Sequence, residues 1–269
     1  VYNKNAASSV ETFSQLIDYC HNYTVNDDNQ NVEQLVSWDV SDMLVNYGFV
    51  CGSVTIGGES GDDNTKLSAD KDLLKKSLTE FVKLRDEFGI VRAETTLDSC
   101  ADLFAQGKLA YTITDVSHLN TIAESGISYG VCSIPALSDD MQIENISENL
   151  CAFVNPYSSD VQTAKAVANA MSYDYAAAVN STTGLLSSRT ISINSKEYKD
   201  TYGKIYEIYS KADDKAKFMG AAYFYTKFDI MLHQVWDGTD IETSVNSFLS
   251  ELKLSIRLKI IVNLILRRY

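Results

Sequence analysis

The run from Phe104 to Pro135 constrains the fold more than any other part of the chain. It reads Phe104-Ala-Gln-Gly107-Lys-Leu109-Ala-Tyr111-Thr-Ile113-Thr-Asp115 and continues to Tyr129-Gly-Val-Cys-Ser-Ile-Pro135. Gly107 stands where an ending helix needs a left-handed residue, a conformation that costs glycine no Cβ clash. Leu109, Tyr111 and Ile113 then alternate with Ala110, Thr112 and Thr114, the period-2 pattern of a strand with two distinct faces. Asp115 is placed to cap the helix that follows. The unit is therefore helix, strand, turn, short helix, strand. In open α/β sheets ligands collect at strand-to-helix turns of this kind, where backbone N–H groups point outward.

The order of motifs along the chain resembles the extracellular solute-binding proteins of ABC importers, in the group typified by maltose-binding protein. The F-x-x-G-K helix end, the strand and the Y-G-V-x-x-I-P strand carry the first part of the likeness. Val1-Tyr2-Asn3-Lys4 is similar to the family's Y-Y-N-K, and Val10-Glu11-Thr12-Phe13-Ser14-Gln15 stands where its P-x-T-W-x-E helix start falls. Asn155-Pro156-Tyr157-Ser158 resembles an N-x-x-S motif before a long helix. Thr183-Gly184-Leu185-Leu186 resembles a T-G-x-L-P turn, and Thr243-Ser244-Val245 leads a last helix like the family's. The match runs in order over about residues 1–252. It implies a type II periplasmic-binding-protein-like α/β fold, mainly the carboxy-terminal lobe with part of the amino-terminal lobe missing. The division it implies is 1–148 as lobe core, 149–193 as a crossover returning to the first lobe, 194–252 as further lobe helices, and 253–269 as an atypical tail.

Charge narrows the partners. The chain has a formal charge of −13, and its last seventeen residues carry five basic and no acidic side chains, leaving 18 basic against 36 acidic groups over 1–252. Such a surface repels phosphate backbones, so nucleic acid is not expected as a partner. With 269 residues and 45% apolar composition, the chain can bury one large or two modest cores. Cys20, Cys51, Cys100, Cys132 and Cys151 are odd in number and widely spaced, which favours free thiols over a disulfide framework or a metal site. Val1 follows no visible leader or lipobox cysteine, so an export signal and a membrane anchor are expected upstream, with the protein outside the cell or in the periplasm.

Helix and turn signals fill in the rest. Ser8-x-x-Glu11 and Thr12-x-x-Gln15 are alternative capping boxes for a helix to about Tyr19. A helix is expected over about 33–47, stopping at Gly48. Gly57–Asn64 reads as an exposed hairpin tip without the ligand spacing of a calcium loop. Ser68 is expected to cap a long amphipathic helix ending at Gly89, with Leu74, Leu78, Phe81, Val82 and Phe88 inward. Leu150–Val154 reads as a short apolar strand before a helix from Ser159. Helices near 195–211 and 218–236 follow, and Thr239-x-x-Glu242 is a capping box for the last one. Lys253–Tyr269 is basic and apolar, too short and interrupted for a membrane span.

The resemblance implies capture of a solute, a sugar or oligosaccharide above all, by closure of two lobes and delivery to ABC permease subunits, with the protein a monomer. Sugar binders stack aromatic faces on pyranose rings and fix hydroxyls with carboxylates and amides. On that pattern Trp38, near the start of the second helix, and Phe228 and Trp236, in the last but one, are candidate ligand-binding aromatics. The family's G-x-W turn is replaced by Asp115-Val116-Ser117-His118, which puts Asp115 and Ser117 forward as a more polar site. Each aromatic has a core alternative, and Asp115 has an alternative as a helix cap. No nucleophile elbow, zinc-protease motif, P-loop or dinucleotide fingerprint occurs, so no enzyme, cofactor or metal is expected. A glycoside hydrolase and a truncated, ligand-free binding protein are the other readings.

Overall fold

Three parallel strands set the frame. A computed structural model describes residues 1–138, 140–187, 196–218 and 220–252, so the tail at 253–269 and the end of the expected crossover at 188–193 lie outside the described residues. The chain opens with strand β1 (Tyr2–Asn3) and helix α1 (Phe13–His21), then β2 (Gln34–Val36) and α2 (Met43–Tyr47). A hairpin of β3 (Val54–Gly57) and β4 (Asp63–Ala69) leads to the long α3 (Lys71–Phe88). The central unit is α4 (Leu97–Ala105), β5 (Leu109–Tyr111), α5 (Leu119–Glu124) and β6 (Tyr129–Gly130). After β7 (Ile146–Ser147) come α6 (Val161–Asn169), α7 (Ala176–Thr183), α8 (Lys196–Tyr209), β8 (Asp213–Asp214) and α9 (Ala221–Trp236). A last helix, α10, covers 241–252.

The main sheet has the order β2-β5-β1-β6. β2 runs parallel to β5, while β1 is antiparallel to both β5 and β6. β2, β5 and β6 therefore point the same way, and their carboxyl ends share one edge. The Gly107 run folds as its residues require. Gly107 has φ +73, its N–H donates to Phe104 O, and the Lys108 N–H donates to Leu103 O, the paired bonds of a Schellman motif. Leu109, Ala110 and Tyr111 are all buried, so both faces of β5 are covered, with Leu109 in one hydrophobic cluster and Ala110 and Tyr111 in the other. One core gathers Phe13, Trp38, Phe49, Phe81, Phe228 and Trp236; a smaller one joins Phe104, Leu109, Leu119 and Ile122 to Tyr202 and Ile205 of α8.

Local signals were decided by geometry. Thr12 is the cap of α1, accepting from the Gln15 N–H, while Gln15 Oε1 accepts from the Glu11 N–H one residue before the cap, so the second signal operates without the reciprocal bond of a full box. Asp70, not Ser68, caps α3, accepting from the N–H groups of Asp72 and Leu73, because Ser68 is still paired in β4. Asp240 rather than Thr239 caps the last helix through the Thr243 N–H. Two expectations fail. The helix over 33–47 is instead β2, a loop and the short α2. Gln34 and Val36 pair with Leu109 and Tyr111, and Asp39 then folds the chain back by accepting from Ser41 and Asp42. Asp42 caps α2 only from Met43 onward. Leu150–Val154 is not a strand: no strand among the described residues pairs with it, and Leu150 and Phe153 are 79% and 88% exposed.

Candidate functional site

A cavity of about 150 Å³ opens at the shared carboxyl edge of β2, β5 and β6. Val36 and Trp38 reach it from β2, Thr112 to Asp115 from β5, and Val131 to Pro135 from beyond β6. Phe13 and Leu16 of α1 close its apolar side, and Asn145 adds an amide. This is the place where parallel strands leave unpaired backbone groups and where ligands collect in open α/β sheets.

Asp115 is the polar centre of that edge. Its Oδ1 accepts from the Ser117 N–H at 2.9 Å, the Ser117 hydroxyl at 2.6 Å and the His118 N–H at 3.2 Å. His118 Nδ1 lies 2.7 Å from the same oxygen, and its Nε2 lies 3.0 Å from Asp98 Oδ1. Burial works to raise the Asp115 value, but the bonds from Ser117 and His118 outweigh it and hold the carboxyl below the ordinary 3.8. The counterpart is His118, where burial opposes protonation and the bonds to Asp115 and Asp98 win, raising its value above 6.5. With both ring nitrogens engaged by carboxylates, His118 offers no open nitrogen to act as a base.

Of the five residues singled out from the sequence, the cavity brings together Trp38 and Asp115. Ser117 stands beside them, its hydroxyl committed to Asp115. Phe228 and Trp236 do not line the cavity. Both are buried in the aromatic core, Phe228 stacked on Phe224 at 5.7 Å and Trp236 against Phe81 at 4.7 Å, so neither presents a face to a sugar. Trp38 reaches the cavity wall, yet its ring is 0% exposed, stacked on Phe49 at 5.8 Å, with Nε1 donating to Asn46 Oδ1. It follows β2 and precedes α2 rather than starting a helix.

Sequence reasoning passed over Thr114. Its Oγ1 is buried in the cavity wall without a hydrogen-bond partner. The alternation of Thr112 and Thr114 with apolar neighbours was the available signal. His233 also has a local role: Nε2 lies 3.2 Å from Asp229 and 3.1 Å from the Ser41 carbonyl, tying α9 to the loop that carries Trp38. All five cysteines are free, and no cluster of three or more metal-ligating side chains occurs among the described residues.

No family model and no curated protein sequence matches the chain. Solved structures do. A maltotriose-binding protein of Thermus thermophilus, bound with maltotriose, superposes with a TM-score of 0.68 at 14% identity, over 95% of this chain and 69% of that one. A cyclo/maltodextrin-binding protein complexed with maltotetraose gives 0.67 at 16% identity, over 95% and 67%. The maltose/maltodextrin-binding domain MalE of Bdellovibrio bacteriovorus, bound to maltotriose, gives 0.69 at 14%, over 95% and 69%. The fold is thus that of maltose-binding-protein-like periplasmic-binding proteins, of which this chain spans about two thirds.

Proposed function

We propose that the protein captures a carbohydrate outside the cytoplasmic membrane and hands it to the transmembrane subunits of an ABC importer. The observation that carries this reading is the cavity at the carboxyl edge of β2, β5 and β6, in a fold shared with proteins solved with maltooligosaccharides. The mechanism is a population shift. A ligand held on the β5 edge favours whichever arrangement adds contacts from a second lobe, and only contacts absent from the open form drive closure. The site supports binding rather than chemistry, since Asp115, Ser117 and His118 bond one another. No helix among the described residues is long and apolar enough to cross a membrane.

A second reading is a binding protein that no longer binds. It is favoured by the covered faces of Trp38, Phe228 and Trp236, none of which is left as an aromatic platform at the site. A thermal-shift series with monosaccharides and maltooligosaccharides separates the two. At a hundred times Kd a ligand stabilises by about 2.7 kcal/mol, so a rise of several degrees in Tm that grows with the logarithm of concentration is expected with one sugar class. A flat response to every sugar favours the second reading.

A further inference from the structure

Resting on the sugar-binding reading, we infer that the cavity selects a single-ring amino sugar, its ammonium on Asp115 and its hydroxyls on Thr114, Ser133 and Asn145.

Size comes first. A volume of about 150 Å³ matches the engineered protein cavities of ~150 Å³ that hold one benzene ring. A space of that size is on the scale of a single ring rather than of an oligosaccharide. An oligosaccharide also needs exposed aromatic faces along its length, and those of Trp38, Phe228 and Trp236 are covered by other rings.

Charge comes second. Asp115 is the one side chain of fixed charge among the described lining residues, set in a wall that is otherwise mostly apolar. Oδ1 carries all its bonds to Ser117 and His118, and Oδ2 accepts none among the described residues. The Asp98–His118–Asp115 bridge holds two carboxylates against one imidazole, so it keeps at least one negative charge even with His118 protonated. Asp42 adds to the field, near enough that Asp115 raises its proton affinity after burial has done so. The amine in the wall, at Val1, donates to Thr112 O at 2.8 Å and is held toward its neutral form by burial. The Asp115 side chain is 46% exposed at this edge, so its open oxygen is accessible, and an ammonium there makes a charge-assisted bond that a neutral group does not.

Hydroxyl partners come third. The orphaned Thr114 Oγ1 lies in the same wall as Ser133 and Asn145. A neutral sugar satisfies those groups and donates a hydroxyl to Asp115, but an ammonium makes the stronger, charge-assisted bond there. A protonated linear polyamine meets the charge but has no acceptor for the Thr114 and Ser133 hydroxyls or the Asn145 amide N–H groups.

The test titrates the full chain with D-glucosamine, D-glucose, maltotriose and spermidine at mildly acid pH, where the amino groups are charged. The expected result is glucosamine binding about tenfold or more tighter than glucose, with maltotriose weaker than either. In D115N the amide oxygen keeps the turn capped, and the preference for glucosamine falls to about one. Equal binding of the two monosaccharides overturns the amino-sugar assignment while leaving the sugar reading in place. Spermidine binding tighter than both overturns it in favour of an amine site. No binding of any sugar overturns the sugar reading itself. If D115N does not fold, the glucosamine-to-glucose ratio of the unaltered chain decides.

Discussion

Asn46 shows how much one buried amide holds at this site. It is 1% exposed, accepts from Trp38 Nε1 at 3.0 Å, and donates to the carbonyls of Asp39 and Asp42 at 2.8 and 2.6 Å. Truncation leaves an indole N–H and the Asp39 carbonyl without partners in the wall behind the cavity, while the Asp42 carbonyl keeps its bond from the Asn46 N–H. Each unsatisfied buried group costs about 1–3 kcal/mol, so Asn46→Ala is expected to lose about 2–4 kcal/mol in urea unfolding. A loss below about 1 kcal/mol means water replaces the amide freely. His118 gives a different signature. Its folded value is raised, so its contribution is fully present below the ordinary 6.5 and disappears as pH rises through the folded value. Asp115 is depressed, so its contribution is present above 3.8 and lost as pH falls through the lowered value. The two effects overlap between those limits. In Tm profiles against pH, the gap between the unaltered protein and His118→Gln should be widest in mild acid and close toward alkaline pH. Because the Asp98 side chain is 90% exposed, solvent screening keeps its share of the effect small. A gap that widens with rising pH contradicts the assignment.

The helix ends separate backbone strain from steric clash. Gly107 and Gly184 both end helices in the left-handed region, at φ +73 and +70. A Cβ at Gly107 meets only Ile127 Cδ1, at 4.0 Å, whereas one at Gly184 meets the Val116 carbonyl oxygen at 2.7 Å. Gly107→Ala should therefore cost only the conformational penalty, about 1–2 kcal/mol, and Gly184→Ala should cost more because backbone must move. Equal losses in parallel denaturant melts mean that the turn after α7 relaxes without resistance. Gly107 was legible in the sequence because a helix stop depends on neighbours a few residues away. So were the hairpin, its tip expected over 57–64 and found between β3 and β4 at 58–62, the α3 face of Leu74, Leu78 and Phe81, and the Asp115 cap. The failures lie where distant partners decide. Gln34–Val36 is a strand only because β5 lies alongside, and the same apolar spacing suits a helix when read locally. Leu150–Val154 has the composition of a strand and no strand among the described residues to pair with. Trp38, Phe228 and Trp236 read equally well as ligand faces or core; ring packing across α3, α9 and the β2 loop settles their burial, and no local spacing encodes that.

At the scale of the whole molecule, apolar surface is distributed unevenly. Phe228, Trp236 and the faces of α3 and α9 share one continuous core, while the stretch from Leu150 to Val179 keeps large apolar side chains in water. Leu150, Phe153, Tyr157, Val167, Met171, Tyr173 and Tyr175 are all more than half exposed. Scattered exposed apolar residues are ordinary, but so many within one segment make a surface prone to association. The folded state gains little from these side chains, because exposed positions contribute within about ±0.5 kcal/mol. Replacing Leu150 and Phe153 together by serine is therefore expected to leave Tm unchanged within about two degrees. The same change should lower binding of an apolar dye and reduce light scattering at high protein concentration. A marked drop in Tm means instead that this segment is packed in solution against something that stabilises the chain, and concentration-dependent sedimentation then tells whether that partner is a second copy. Unchanged dye binding places the accessible apolar surface elsewhere, with the α6–α7 side chains Val167, Met171 and Tyr175 as the next substitutions.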